Sequence, residues 1–431
     1  MRIVQVNTSD LNGGAARAVY RVHSALRDAG YDAKMLVLQR QSRDASVLRF
    51  EPPMHFSQRL LRFARSRRLH LGFARYRKSR PQGYELFSND RTQYRYELTK
   101  FFHSYDLVHL HWIAQFIDYE TFFASLPLRK PVLWTLHDMN AFTGGCHYDL
   151  GCGKYTAQCG ACPQLGSDNK NDLSHVIWKR KQRIFRKLAS DQLRIVALNQ
   201  WMAHEILRND LLRRFAVTII PNGVDTNVFA PHDRAACRSA LGIPQNARVI
   251  LFIANEVMIR RKGFALLRQA LDGVAGQIEH LVLLSAGEGK PRLATNLAHV
   301  HLGKIVDDHM LARVYAAADI FVIPSLQDNQ PNTVLEAMAC GIPVVGFANG
   351  GIAEMVRTGV NGSLVPTGAV RALREALLEL LQHSEVRANF ANNCRRIALE
   401  EYTLALQAQR YVTLYEEVCA ASPRPALLNV A

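Results

Sequence analysis

Short apolar runs alternate with longer amphipathic segments along almost the whole chain of 431 residues. The runs are nearly continuous in hydrophobic character, which is typical of strands buried on both faces of a parallel sheet. The predicted strands are Arg2–Asn7, Leu107–Trp112, Val132–His137, Arg194–Leu198, Val217–Pro221, Val249–Ala254, His280–Ala286, Ile320–Pro324 and Pro343–Phe347. Their alternation with helices predicts βαβ units, so we expect an α/β fold of doubly wound parallel sheets.

A turn-rich segment, 221–231, divides this pattern and is interpreted as an interdomain linker. The chain is too long for one ordinary core, which favours two domains, 1–220 and 232–400. Residues 401–421 predict a helix that packs back on the first domain. The tail 422–431 contains two prolines and is expected to be disordered.

The composition is that of an ordinary globular enzyme, with 48% hydrophobic and 21% charged residues. No window approaches the roughly 20 apolar residues of a membrane span. The N-terminal residues read as a strand and lack the apolar core of a signal peptide, so we expect a cytoplasmic protein.

The formal net charge of +16 favours anionic partners, and it is unevenly distributed. The segment 52–84 contains no acid but is rich in arginine and lysine, interleaved with leucine and phenylalanine. This mixture is typical of a basic amphipathic segment on an anionic membrane surface. A solvated basic loop is the alternative interpretation.

A glycine pair, Gly13-Gly14, follows the first predicted strand and precedes Arg17. Glycines let backbone N–H groups approach a phosphate or sugar at a helix N-terminus, although a tight turn needs the same residues. His137 ends another predicted strand, where ligands of open α/β sheets bind and where an imidazole can hydrogen-bond a substrate hydroxyl. We interpret His109 and His111, on a neighbouring strand, as packing residues.

Two charged segments in the second half occupy positions where a ligand would bind. Arg260, Arg261 and Lys262 precede Gly263 after the first strand of the second domain. Cations are unfavourable at a helix N-terminus, so an anionic ligand explains them better than a solvated cluster. In the run 328–343, Asp328 and Glu336 lie on either side of a predicted helix start. Both acids are expected to face one crevice, which suits sugar hydroxyls, while the helix N-terminus suits a diphosphate.

Four cysteines fall close together, at Cys146, Cys152, Cys159 and Cys162. Four thiolates, or three with His147, would satisfy a tetrahedral structural zinc ion, although the spacing contains only one short Cys-x2-Cys pair. Buried thiols and disulfides are the alternatives, and disulfides are disfavoured in a cytosolic protein.

Together these residues resemble the family 4 glycosyltransferases of the GT-B fold, in which two Rossmann-like domains face a central crevice. The resemblance covers most of the chain and rests on Gly13-Gly14, His137, Pro221–Asp225, Lys262-Gly263, Gly287–Gly289, Ala318-Asp319, Pro324-Ser325 and Asp328–Pro343. The runs 110–112 and 137–146, with the cysteine cluster, are similar to bacterial polysaccharide enzymes of the colanic-acid and O-antigen type.

The resemblance implies a retaining transfer of a hexosyl group from a UDP- or GDP-linked sugar that is held mainly by the second domain. Glu336 corresponds to the glutamate that binds the nucleotide ribose, and Asp328 is one methylene shorter than the acid that contacts the donor sugar. Lys262 matches the lysine that grips the diphosphate, but Glu256 stands where an arginine is usual, so Arg260 or Arg261 must substitute. The implied site also contains catalytic His137 and donor-binding Gly13, Gly14, Arg17, Gly287, Gly303, Lys304, Ile305, Asn332, Thr333, Val334 and Leu335.

No Asp-x-Asp metal clamp is evident, so we expect catalysis without a cofactor. The resemblance implies a polyprenyl-diphosphate-linked saccharide as acceptor, in exopolysaccharide or lipopolysaccharide O-antigen biosynthesis, with the basic segment at the inner face of the cytoplasmic membrane. A nucleotide-sugar 2-epimerase, which converts the donor without an acceptor, is the alternative. A nucleic-acid-binding protein is less favoured, because no binding module is visible.

Overall fold

The computed structural model describes residues 1–127, 130–293 and 297–421. Its N-terminal half contains the strands β1 (Arg2–Ser9), β2 (Asp32–Gln39), β3 (Val47–Arg49), β4 (Leu107–Leu110), β5 (Val132–Leu136), β6 (Leu193–Ala197) and β7 (Val217–Ile219). They form one seven-stranded sheet in the order β3-β2-β1-β4-β5-β6-β7, and every neighbouring pair is parallel.

Helices cover this first sheet because parallel strands need long crossover connections. They are α1 (Gly14–Asp28), α2 (Phe56–Ala74), α3 (Tyr119–Ser125), α4 (Leu173–Arg186) and α5 (Gln200–Leu207). Short 3₁₀ helices span Tyr96–Ser104, Asn140–Phe142, Lys154–Thr156 and Pro163–Leu165.

The C-terminal half repeats this architecture with six parallel strands. They are β8 (Arg248–Glu256), β9 (Leu281–Glu288), β10 (Ala298–His301), β11 (Ile320–Ile323), β12 (Val344–Ala348) and β13 (Gly362–Pro366), in the order β10-β9-β8-β11-β12-β13. The helices are α6 (Arg234–Ala240), α7 (Phe264–Leu271), α8 (Asp308–Ala316), α9 (Asn332–Ala339), α10 (Ile352–Met355), α11 (Val370–Gln382), α12 (Ser384–Glu401) and α13 (Leu404–Ala421). A 3₁₀ turn spans Arg260–Lys262.

The chain passes between the two halves twice, at neighbouring places. The backbone N–H of Val224 donates to the carbonyl of Tyr402 at 2.8 Å, so the first crossing lies beside the second. After the second crossing, α13 packs against α1 and the first sheet, where Tyr411 and Tyr415 join the core around Ile3. The C-terminal helix therefore belongs to the core of the N-terminal half.

The predicted α/β architecture of two parallel sheets is confirmed, and each predicted strand corresponds to an observed one. The prediction missed β2, β3, β10 and β13. β3 has only three residues, and β10 and β13 contain few buried apolar side chains, so their local signal is weak. β2 contains the apolar run Met35–Leu38, a signal that the sequence does carry. The predicted disordered tail, 422–431, lies outside the described residues.

The basic segment forms α2, most of which is exposed. A stripe at helical spacing contains Phe56, Leu60, Phe63 and Leu71, and Phe56 and Phe63 are 82% and 62% exposed. Within the described part of the chain, no helix has the length and apolar character to cross a bilayer.

Candidate active site

The first strand of each half leads into a turn at the crevice. Gly13, with φ 95°, precedes α1, and its conformation is one that side-chain-bearing residues rarely adopt. On α1, Arg17 and Arg21 lie one helical turn apart and reach across to the C-terminal half. Arg17 donates to Asp308 at 3.0 Å and to the carbonyl of Ile305 at 2.8 Å.

The loop after β9 and β10 lies opposite α1. Gly287 has φ 137°, and its N–H donates to the carbonyl of Gly303 at 2.8 Å, so the two strand ends are joined. Lys304 pairs with Glu288 at 2.6 Å. The structure therefore brings Arg17, Gly287 and the segment 303–305 to one edge of the crevice.

Glu336 on α9 is only 3% exposed and is surrounded by hydrogen-bond donors. Arg21 contacts its Oε1 at 2.8 Å, and the hydroxyl of Tyr315 donates to its Oε2 at 2.9 Å. Arg21 also contacts Asp308 at 2.9 Å and lies over the ring of Phe229. The carboxylate implied to bind ribose is thus held by an arginine of the opposite half.

The turn after β8 carries the three predicted cations. Gly263, with φ 72°, is required there, because a Cβ atom would lie 1.7 Å from the carbonyl oxygen of Pro324. The three cations differ in accessibility, since Arg260 is exposed, Lys262 is half-buried and Arg261 is buried. Lys262 Nζ donates to Asp328 Oδ2 at 2.7 Å.

The guanidinium of Arg261 is paired with groups of the protein itself. It forms two hydrogen bonds with the carboxylate of Glu85, at 2.9 and 2.5 Å, and it contacts Asp328 Oδ2 at 3.1 Å. The ring of Tyr148 lies against it at 3.9 Å from the centroid. This geometry makes Arg260 and Lys262 more accessible to a diphosphate than Arg261.

Asp328 is buried among these cations. Burial by itself opposes the charged form, but Lys262 and Arg261 more than compensate and lower the pKa of Asp328 to about 2. The hydroxyls of Ser325 and Tyr148 lie 3.3 and 3.4 Å from its oxygens. The acid is therefore ionised at neutral pH and positioned by four side chains.

The N-terminus of α9 faces the glycine pair. The side-chain amide of Asn332 donates to the carbonyl of Gly14 at 2.9 Å, and Thr333 follows in the first helical turn. Val334 and Leu335 are fully buried, and the N–H of Val334 donates to the carbonyl of Pro331 at 3.0 Å, so the structure exposes neither residue to a ligand. The helix N-terminus and Gly13-Gly14 thus define a narrow part of the crevice that suits an anion.

His137 lies at the end of β5, beside the crevice. Its Nε2 is 3.2 Å from Nδ1 of His111, and its backbone carbonyl accepts from the side chain of Asn329 at 3.1 Å. Burial lowers the pKa of His137 to about 4, so the imidazole is neutral at pH 7. His111 is more than the packing residue that we predicted, because it contacts this imidazole, whereas His109 bonds to Tyr415 and Thr135 inside the core.

The four clustered cysteines line one pocket beneath Phe87 and form no disulfide. The backbone N–H of Gly144 donates to the sulfur of Cys159 at 3.1 Å. However, no three His, Cys, Asp or Glu side chains of the described residues are arranged to hold a metal ion. The residues as placed do not fit a zinc ion, and structural zinc stays a prediction without geometric support.

Sequence reasoning missed three residues that complete the crevice. Arg21 could have been found, because it lies four residues after Arg17 on the same face of α1. Tyr148 lies within the cysteine-rich segment, which was interpreted only for its thiols. Glu85 is the first acid after the acid-free segment 52–84, but nothing in its neighbourhood points to a partner at Arg261.

Two family models together match most of the chain. The family model described as Glycosyltransferase Family 4 matches residues 12–228, and that described as Glycosyl transferases group 1 matches residues 247–383. A D-inositol 3-phosphate glycosyltransferase of Saccharomonospora viridis is 34% identical over 231 residues, which are 49% of this chain and 52% of the relative. This chain therefore spans about half the length of that relative.

Solved structures agree over almost the entire fold. Sucrose-phosphate synthase from Thermosynechococcus elongatus matches with a TM-score of 0.68 at 20% sequence identity. The match covers 98% of this chain and 100% of the synthase chain. Anabaena Alr3699/HepE, solved with UDP and glucose, matches with a TM-score of 0.64 at 18% sequence identity. This match covers 97% of this chain and 100% of the Anabaena chain. The fold is GT-B, and the chain belongs to the family 4 glycosyltransferases.

Proposed function

We propose that this protein transfers a hexosyl group, with retention of anomeric configuration, from a nucleotide-diphospho-sugar to a saccharide acceptor. The observation that carries the proposal is the pairing of Lys262 with Asp328 on the segment that leads into α9, together with the contact between the start of α9 and Gly14 of the opposite half. The diphosphate of the donor would lie between the helix N-terminus and the cations, and the ribose of its nucleotide would bind beside Glu336.

The reaction would proceed by electrostatic stabilisation of the leaving group. Lys262, Arg260 and the backbone N–H groups near Thr333 would stabilise the negative charge that develops on the departing nucleoside diphosphate. The acceptor hydroxyl would attack from the face that this group vacates, with the departing phosphate as base. His137 is neutral at pH 7 and would hydrogen-bond a hydroxyl of the transferred sugar, while the closed crevice excludes water.

A thermal-shift panel tests the donor site. UDP, GDP, ADP and their common sugar conjugates are compared on wild type and on Glu336→Gln, with Glu375→Gln, an exposed position of α11, as a control. We expect one nucleotide to raise the melting temperature of wild type and of the control but not of Glu336→Gln. No shift with any nucleotide would refute the proposed donor site.

Incubation of the stabilising donor without acceptor, followed by NMR of the sugar, tests the reaction type. Transfer predicts that the donor sugar stays unchanged except for slow hydrolysis. Conversion to the C2 epimer would refute transfer in favour of a nucleotide-sugar 2-epimerase.

We infer that the acceptor is a polyprenyl-diphosphate-linked saccharide of exopolysaccharide or O-antigen biosynthesis, and that the protein works at the cytoplasmic membrane surface. The support is α2, which exposes Phe56, Leu60 and Phe63 beside Arg67 and Arg68. An exposed apolar stripe with flanking arginines suits the interface of an anionic bilayer.

Co-sedimentation with vesicles tests this surface. We expect binding to phosphatidylglycerol-containing vesicles, little binding to pure phosphatidylcholine, and loss of binding in Phe63→Ser with Arg67→Ser. The matched control carries Leu399→Ser and Arg371→Ser, an exposed apolar and an exposed basic residue of the C-terminal half. Equal binding of both double variants would refute α2 as the contact.

A further inference from the structure

Glu85 occupies the cationic edge of the donor crevice in the way that a phosphate would. Its two carboxylate oxygens accept two parallel hydrogen bonds from Nε and Nη2 of Arg261, at 2.9 and 2.5 Å. A phosphate presents two oxygens to the same guanidinium edge with similar geometry. We propose that Glu85 is an internal competitor of the donor diphosphate, and that its displacement from Arg261 sets the affinity for the donor.

The charge balance of this corner supports the proposal, which rests on the proposed glycosyltransferase function. The cations Arg261 and Lys262 face the anions Glu85 and Asp328, so the four groups carry no net formal charge. A diphosphate entering this corner would therefore find the charges of Arg261 and Lys262 already balanced, and the exposed Arg260 of the same turn would be the further cation that it meets. Removing the charge of Glu85 leaves one positive charge there, and displacing it frees the Nε–Nη2 edge of Arg261.

Of the two acids on Arg261, Glu85 is the one that can leave. The side chain of Asp328 is 6% exposed and is held by Lys262 as well, whereas that of Glu85 is 20% exposed. Glu85 lies in the connection after α2 and not in a strand or helix. Asp328 would therefore remain in place while Glu85 moves.

The segment around Glu85 is attached to the same cationic turn by neighbouring residues. The carbonyl of Gly83 accepts from the backbone N–H of Arg260 at 3.1 Å, and the guanidinium of Arg260 lies over the ring of Tyr84. These contacts keep residues 83–85 beside the crevice when the carboxylate is displaced. Exchange between Glu85 and a ligand then requires a local side-chain movement and no unfolding of the segment.

The test measures nucleotide affinity in Glu85→Gln, which keeps the shape of the side chain and removes its charge. Glu97→Gln is the matched control, because Glu97 is an arginine-paired acid of the same half, 3.8 Å from Arg65. Isothermal titration calorimetry with UDP, GDP, ADP and their sugar conjugates gives the dissociation constants, and inorganic pyrophosphate serves as a competitor. Glu85→Ala repeats the measurement should the glutamine variant fold poorly.

We expect the nucleotide that binds wild type to bind Glu85→Gln about tenfold more tightly, which corresponds to about 1.4 kcal/mol. Its affinity for Glu97→Gln should equal that of wild type, and pyrophosphate should compete more strongly against Glu85→Gln.

Equal or weaker nucleotide binding by Glu85→Gln, with wild type still binding, would overturn this inference and leave the glycosyltransferase proposal intact. Selective loss of the nucleotide-sugar, with the free nucleotide unaffected, would also overturn it, because Glu85 would then be a sugar contact. If neither wild type nor any variant binds a nucleotide, the donor site is refuted, and the proposed competition by Glu85 is refuted as well.

Discussion

The buried ion pair between Arg21 and Glu336 predicts a strong coupling across the crevice. Replacing Arg21 with methionine keeps most of its volume and removes the charge. Asp308 keeps a partner in Arg17 at 3.0 Å, so its charge stays compensated. Among the described residues, Glu336 then keeps only the hydroxyl of Tyr315 as a partner and becomes a buried carboxylate without a cation.

The magnitude follows from the burial of both groups, whose side chains are 7% and 3% exposed. Removing one partner of such a pair costs about 3–5 kcal/mol, because the remaining charge stays desolvated. For a domain of about 200 residues, each kcal/mol lowers the melting temperature by roughly 2–4 °C. We therefore expect Arg21→Met to melt at least about 6 °C below wild type.

A double-mutant cycle measures this coupling by differential scanning calorimetry of wild type, Arg21→Met, Glu336→Gln and the double variant. The double variant should melt above Arg21→Met, because it contains no uncompensated buried charge. The exposed pair Arg371–Glu375 supplies the control cycle, which should show no coupling. Additive effects within about 0.5 kcal/mol at Arg21 and Glu336 would refute the reasoning.

Three further predictions concern Lys262, the buried histidines and Lys181. Lys262→Met should weaken binding of the stabilising nucleoside diphosphate by roughly 10–100-fold in calorimetry, since a charge-assisted hydrogen bond contributes about 1.5–3 kcal/mol, and exposed Lys187→Met should not. Burial lowers the pKa of His109 to about 3 and of His137 to about 4. Below pH 6.5 the unfolded chain therefore takes up protons on these histidines that the folded protein does not, and the free energy of unfolding falls as the pH drops from 6.5 toward 4. A melting temperature that stays constant between pH 7 and pH 4 would contradict this. Burial lowers the pKa of Lys181 to about 8, so the unfolding free energy of wild type should rise relative to that of Lys181→Met between pH 8 and pH 10.

The order of strands and helices follows from local pattern, because a strand buried on both faces needs a continuous apolar run wherever it lies in the sheet. That is why the central strands β1, β4, β8 and β11 were predicted correctly. The edge strand β7 was predicted and the inner strand β2 was missed, so position in the sheet does not decide the outcome by itself. The edge strands β3, β10 and β13 were missed because they are short or bury few apolar side chains. Their existence was decided by pairing in the folded sheet.

The sequence by itself determined the two-sheet architecture, the family and the positions of Lys262, Asp328 and Glu336 after their strands. Only the tertiary structure decided which groups these residues meet. Arg261 and Glu85 are 176 residues apart, and Arg21 and Asp308 are 287 apart. Such pairs form because the two halves of the chain meet across the crevice. The local periodicity of the sequence does not specify how the two halves are placed relative to each other. The partners of the donor-site charges could therefore be identified only in the folded structure.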